Sequence, residues 1–209
     1  MNREELLKIA KPILFNTEMV QAILEGRKSV TRRVVSEKII DKYYEYDDFC
    51  ISVETGDIPT YREYEEEYFM KKARYKVGDI LYIRETWCQD DLTPDDYYYR
   101  ANYTDKEARE LFNDIGLKWK PSIHMPKSIA RIFLNVTDIR VEKLQDITEI
   151  QVVKEGFSSN FDMETDTFYP DGYYFVELWN STVKKQDLDR YGWDANPWVF
   201  VIEFERVGI

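Results

Sequence analysis

Glu25-Gly26-Arg27-Lys28-Ser29-Val30-Thr31-Arg32-Arg33-Val34-Val35 is the stretch from which the fold is read. Upstream of it, Met19, Val20, Ile23 and Leu24 fall at helical spacing, and Gly26 stands where a helix C-cap is expected. Downstream, Val30, Val34 and Val35 favour β structure, so residues 29–35 are predicted to form a strand. Four cations, Arg27, Lys28, Arg32 and Arg33, fall within seven residues of a chain whose net charge is −11. With the hydroxyls of Ser29 and Thr31 among them, such a helix–strand junction points to a site for an anionic or polar ligand. Neighbours on a strand alternate faces. Ser29, Thr31 and Arg33 therefore share one face, and Lys28, Val30 and Arg32 the other. A bend after Gly26 is needed for Lys28 to approach Thr31.

On either side of this stretch the chain reads as short strands with few helices between them. Residues 1–10 form a helical extension and Pro12-Ile13-Leu14-Phe15 a first strand, with Asn16 or Thr17 capping the next helix. Residues 80–87 and 97–101 are strands, and 105–112 a helix. Pro121 and Pro126 keep the segment 119–126 extended. Residues 130–143 alternate as one long strand or a bent pair. Thr148 and Gln151 form a capping-box pattern for a helix that ends at Glu155-Gly156. A helix over 173–183 and a loop over 187–197 precede a final strand at 198–207. The tyrosine- and acid-rich stretch 43–76 reads as an insertion with a strand at 49–53, a turn at Thr55-Gly56-Asp57 and a helix at 61–72, and 160–172 as an acidic insertion. The expectation is an α+β fold: a small mixed β-barrel, closed so that it has no edges, with helices at its mouth. One domain spans 1–209, with insertions near 41–75, 102–117 and 158–172.

Composition narrows the function classes. Hydrophobic content of 44% and aromatic content of 15% suffice for a buried core. The absence of any apolar run of membrane-spanning length predicts no membrane partner, and the N-terminus lacks a signal-peptide core. Cys50 and Cys88 lie far apart and outside metal-ligand spacing, as expected of free thiols in a reducing cytoplasm. His124 is the only histidine, without cysteine or acidic partners at ligand spacing, so neither a metal nor a cofactor is expected. The acidic balance argues against broad, non-specific wrapping of nucleic acid. A local basic pocket remains open, because fields focus in clefts.

Several segments, in this order, carry a family resemblance: Ile13-Leu14-Phe15; the run from Ala22 through Gly26-Arg27-Lys28-Ser29-Val30-Thr31-Arg32-Arg33; Gly78-Asp79-Ile80-Leu81-Tyr82-Ile83-Arg84-Glu85-Thr86-Trp87; Trp119-Lys120-Pro121-Ser122-Ile123-His124-Met125-Pro126; Val141-Glu142-Lys143-Leu144-Gln145-Asp146-Ile147; Glu155-Gly156; and Trp193-Asp194-Ala195-Asn196-Pro197-Trp198-Val199. Together they resemble the ASCH domain of the PUA-like superfamily, in its longer form common in phage and prophage genomes. The resemblance implies a β-barrel with a cleft beside the Gly-x-Lys-x-x-Thr-x-Arg motif, and RNA, a nucleotide or a modified nucleoside as partner. Small bacterial ASCH enzymes remove the acetyl group from N4-acetylcytidine with the motif lysine and threonine and a glutamate on a later helix. Carried over, these are Lys28, Thr31 and Glu155. Other ASCH proteins are reported as ribonucleases. This chain is much longer than the small enzymes, and its insertions are placed to reshape the cleft.

A threonine hydroxyl attacks only when a neighbour takes its proton, and a lysine does so once desolvation lowers its pKa. The expected roles are thus Thr31 as nucleophile, Lys28 as base and Glu155 as proton shuttle. Against this stands the plainer reading of Thr31 as a strand residue and Lys28 as a phosphate-binding cation. Arg27, Arg32, Arg33 and Arg84 are candidates for holding a phosphate or base edge. Glu85 either joins that site with Arg84 or forms an internal ion pair with it. Trp87, Trp119 and Trp193 either stack on a base or fill core, and His124 is a candidate cleft wall or acid–base group. Three classes follow: a hydrolase of a modified nucleoside or RNA, a non-catalytic RNA- or modified-base-binding module, and a protein adaptor built on the tyrosine-rich insertion.

Overall fold

The computed structural model describes residues 1–208 except 51–60, 91, 92, 94, 112, 114, 115, 117, 158–160, 163–166, 169 and 170. The elements, in order, are α1 (Arg3–Ile9), β1 (Lys11–Leu14), α2 (Thr17–Leu24), β2 (Val30–Val34), α3 (Glu37–Cys50), α4 (Tyr61–Lys71), β3 (Ile80–Arg84), β4 (Trp87–Gln89), β5 (Tyr97–Tyr99), α5 (Asp105–Glu110), β6 (Phe133–Lys143), α6 (Glu149–Lys154), β7 (Phe161–Asp162), β8 (Thr167–Phe168), α7 (Asp171–Thr182), α8 (Leu188–Tyr191) and β9 (Trp198–Arg206). This is a mixed α+β fold. Its five-stranded mixed sheet has the order β1-β3-β6-β9-β2, and β4-β5 and β7-β8 are separate two-stranded pairs. Among the described residues, no helix is long and apolar enough to cross a membrane.

The chain forms two units, one of Met1–Ser29, Val77–Thr137 and Phe204–Ile209, the other of Val30–Lys76 and Asp138–Glu203. Strands β6 and β9 run through both. In the first unit β1 and β3 pair in parallel, from Lys11 opposite Leu81 to Leu14 opposite Arg84. β3 and β6 pair antiparallel at Ile80–Tyr82. Leu6, Tyr82, Trp87, Met125, Ile129 and Phe133 form the core beside them. Asn16 caps α2 by accepting from the Met19 N–H at 2.9 Å, one of the donors that a helix start leaves orphaned. The helix ends at Gly26, whose φ of +76° is the left-handed conformation glycine tolerates. The N–H groups of Arg27 and Lys28 then both return to the Ala22 carbonyl, at 2.9 and 3.1 Å. The chain therefore turns directly after Gly26.

In the second unit β2 pairs antiparallel with β9, from Val30 opposite Glu203 to Val34 opposite Val199. Val30, Leu144, Val152, Phe175, Val199 and Val201 form one core cluster. Val35, Tyr43, Phe69, Val141, Trp198 and Phe200 form another. Each fully buried Val or Leu here stabilises by about 1.5–3 kcal/mol relative to exposure. Thr148 and Gln151 make the expected capping box at the start of α6, and Glu155 is its C-cap, followed by Gly156 at φ +100°.

Several expectations are corrected. Eight α-helices stand among the described residues, not a few. Phe49 and Cys50, read as the start of a strand, end α3. Residues 51–53 and the Thr55-Gly56-Asp57 turn lie outside the described residues, as does most of the 160–172 insertion. The strand predicted over 80–87 is two, β3 and β4, broken at Glu85-Thr86. Ser122–His124 is a 3-10 turn rather than extended chain, and α8 lies in the predicted 187–197 loop.

Candidate functional site

Buried polar side chains mark where a fold tolerates cost, since a buried charge without partners is expensive. Among the described residues six polar or charged side chains are buried: Lys28, Thr31, Arg32, Glu65, Glu85 and Glu155. All but Glu65 are residues singled out from the sequence.

The second unit holds most of these. On β2, Arg33 Nη1 donates to the Thr31 hydroxyl oxygen at 2.6 Å and to the Arg32 carbonyl at 2.8 Å, so Thr31 and Arg33 share a face as strand alternation requires. Arg33 is half-buried. Burial lowers its pKa and outweighs the opposing pull of Glu155 and Tyr75, though a guanidinium remains charged. Arg32 turns elsewhere. Its Nη1 donates to Glu155 Oε1 at 2.9 Å, and its Nη2 and Nε to Glu142 Oε1 at 2.6 and 3.2 Å. Its side chain is 1% exposed and that of Glu155 7%. Glu155 is fixed there because α6 ends on it.

The carboxylate chain continues. Arg140 reaches Glu142, Asp138 and Glu203 at 3.2, 3.1 and 2.7 Å. Burial pulls Arg140 down, but those carboxylates prevail and its pKa is raised. Arg32 is thus an internal ion-pair residue rather than an exposed anion hook. Glu142 and Arg140 were missed by the sequence reading. Their signal was the charged alternation of Asp138, Arg140 and Glu142 on one face of a predicted strand.

The first unit holds the other assigned residues. Lys28 is buried, its ammonium 5.8 Å from the centroid of the Phe15 ring, and the Phe15 N–H donates to the Arg84 carbonyl at 3.3 Å. Arg27 is exposed and its Nε donates to Glu25 at 2.6 Å. Arg84 Nη2 donates to the carbonyl of Ile123, the residue before exposed His124, while its buried Nε has no hydrogen-bond partner among the described residues. Glu85 does not pair with Arg84. It takes Nε and Nη2 of Arg131 on its two oxygens, at 2.8 and 2.9 Å. The break after β3 turns consecutive side chains apart, and Arg131 also lies over the Tyr99 ring at 4.1 Å. Nothing local in the sequence announced that pair.

Trp87 is core, with the Lys120 ammonium 4.7 Å over its ring. Trp193 packs on Phe175. Trp119 is half-buried and lines a pocket. Cys88 is buried and free, and burial pushes its thiol up to about 11 against the pull of Lys120. No group of three or more His, Cys, Asp or Glu suited to a metal occurs among the described residues. No family model, no curated protein and no solved structure matches this chain.

Proposed function

We propose that this chain is an ASCH-type protein, a PUA-like barrel, that binds RNA, a nucleotide or a modified nucleoside and hydrolyses an N4-acylated, cytidine-like amide. The observation that carries the reading is the burial of Lys28, Thr31 and Glu155, the three residues to which the family resemblance gives chemical roles. Thr31 Oγ is the nucleophile. Lys28, three positions before it in the chain, takes the hydroxyl proton as Thr31 Oγ bonds to the acyl carbon. The C–N bond then breaks and the proton passes by way of Glu155 to the leaving amine. Water cleaves the resulting ester, releasing the carboxylic acid and restoring the hydroxyl. The guanidinium of Arg33 on the Thr31 oxygen supports this chemistry, because a charged donor stabilises negative charge growing there.

A second reading, a non-catalytic RNA- or modified-base-binding module, is favoured by the same contacts taken as complete: Thr31 already satisfied by Arg33 and Glu155 by Arg32. Incubation with N4-acetylcytidine and with labelled single-stranded RNA separates the two. Free cytidine released by the wild type and not by Thr31→Ala supports hydrolysis. Retention of RNA without product supports the binding module. Full turnover by Thr31→Ala excludes the assigned chemistry, and RNA retention that survives Lys28→Ala counts against both readings.

A further inference from the structure

The first unit carries a pocket of about 460 Å³ lined by Arg100, Asp105, Ala108, Arg109, Asn113 and Trp119. That volume lies in the range of small-ligand sites. We propose that it binds a planar aromatic ring bearing an anionic group, of the size of a nucleoside monophosphate. The inference does not rest on the function proposed above and uses none of its residues.

The lining divides by chemistry. Ala108 is buried and Trp119 half-buried, so together they offer an apolar surface for a flat ring. Trp119 is braced from the side by Tyr103, with ring centroids 6.1 Å apart and planes at 48°, and Tyr103 in turn by Tyr98 at 6.5 Å. A braced indole loses little freedom when a base stacks on it, and such stacking is worth about 1–3 kcal/mol per base.

Arg100 is equally fixed. Its Nη1 donates to the Tyr103 carbonyl at 2.7 Å and its Nη2 to Asp105, and its side chain is 17% exposed. Holding the guanidinium in place beforehand removes part of the ordering cost of binding. Among the lining residues the charges of Arg100 and Asp105 offset each other, and Arg109 adds one further positive charge. Arg109 is exposed on α5 and makes no hydrogen bond or ion pair among the described residues. The pocket is therefore net positive. Asn113 adds an amide that both donates and accepts, suited to a base edge.

Charge distribution agrees. The first unit holds 14 Lys and Arg against 15 Asp and Glu, whereas the second holds 15 against 25. Nearly all the acidic excess thus belongs to the second unit, and an anion meets little net repulsion from the first.

The test is isothermal titration of the full chain with adenosine 5′-monophosphate, adenosine and inorganic phosphate. The nucleotide is expected to bind, and each fragment to bind at least about tenfold more weakly because it lacks either the charge-assisted bonds or the stacked ring. Arg109→Ala should weaken nucleotide binding about tenfold, as loss of one charge-assisted bond does, and Trp119→Leu similarly. Arg109 is exposed, so its variant remains informative should Trp119→Leu fail to fold. Nucleotide binding that is absent from the wild type, or unchanged in Arg109→Ala, overturns the proposal. Either result leaves the N4-acetylcytidine assay, which reads Thr31 and Lys28, undisturbed.

Discussion

Arg32 and Glu155 meet at 2.9 Å, although 123 positions separate them in the chain. Arg32 also holds Glu142, so a single buried guanidinium joins β2 to β6 and to the end of α6. Breaking such a pair leaves carboxylates buried without compensation, which costs about 3–5 kcal/mol. Arg32→Met should lower unfolding free energy by that amount in a urea titration. Adding Glu155→Met should restore part of the loss, since an apolar replacement of a buried pair is often close to neutral. An Arg32→Met chain as stable as wild type would show the network to be dispensable.

The contact between Arg33 and Thr31 separates catalysis from architecture. Arg33→Gln removes a charged donor from the hydroxyl oxygen at modest cost to folding, because the side chain is only half-buried. If Thr31 is the nucleophile, turnover of N4-acetylcytidine should fall about 100-fold, the scale of losing one donor to developing negative charge. A fall in RNA retention with no turnover in either protein would instead mark the binding module.

Cys88 gives a pH signature. Its thiol is pushed up to about 11 in the folded chain, from an ordinary value of 9.0. The folded state therefore holds this proton more tightly than the unfolded state. The contribution to stability is fully present below pH 9.0, falls as pH rises from there, and is gone above about 11. Thermal melts of wild type and Cys88→Ala across pH 8 to 11 should converge as pH rises. Thiol labelling of Cys88 at pH 7.5 should be slow until denaturant is added.

Thr148 holds the start of the helix that presents Glu155. Its hydroxyl accepts from the Gln151 N–H, and Gln151 answers by accepting from the Thr148 N–H at 2.9 Å. Thr148→Ala should cost about 1 kcal/mol. Hydrogen exchange should speed up first within α6, and Thr148→Ser should recover most of the protection.

What was legible in the sequence is what is local. The Asn16 cap, the Gly26 turn, the Thr148–Gln151 box and the β2 alternation each need only a few neighbouring residues, and each is found. Long-range partners were not legible. Glu85 finds Arg131 across 46 positions, whereas the sequence offered only its neighbour Arg84, as an ion-pair partner or as a companion in the ligand site. Phe49 and Cys50 differ for another reason: they close α3, a helix whose Ile39 and Tyr43 sit at helical spacing and pack on the cluster holding Phe69 and Trp198, and such packing overrides local β propensity.

β9 has a consequence for how the chain matures. Its Trp198–Glu203 portion is the partner that β2 needs, while Phe204 and Val207 hydrogen-bond to Ser29 and Phe133. A nascent polypeptide on the ribosome therefore cannot complete either unit until these late residues emerge. Until then β2, with its four-valine neighbourhood of Val30, Val34, Val35 and Val199 still unfinished, offers an unpaired edge to chaperones or to other copies. Truncation before Trp198 should give aggregate rather than a smaller folded protein.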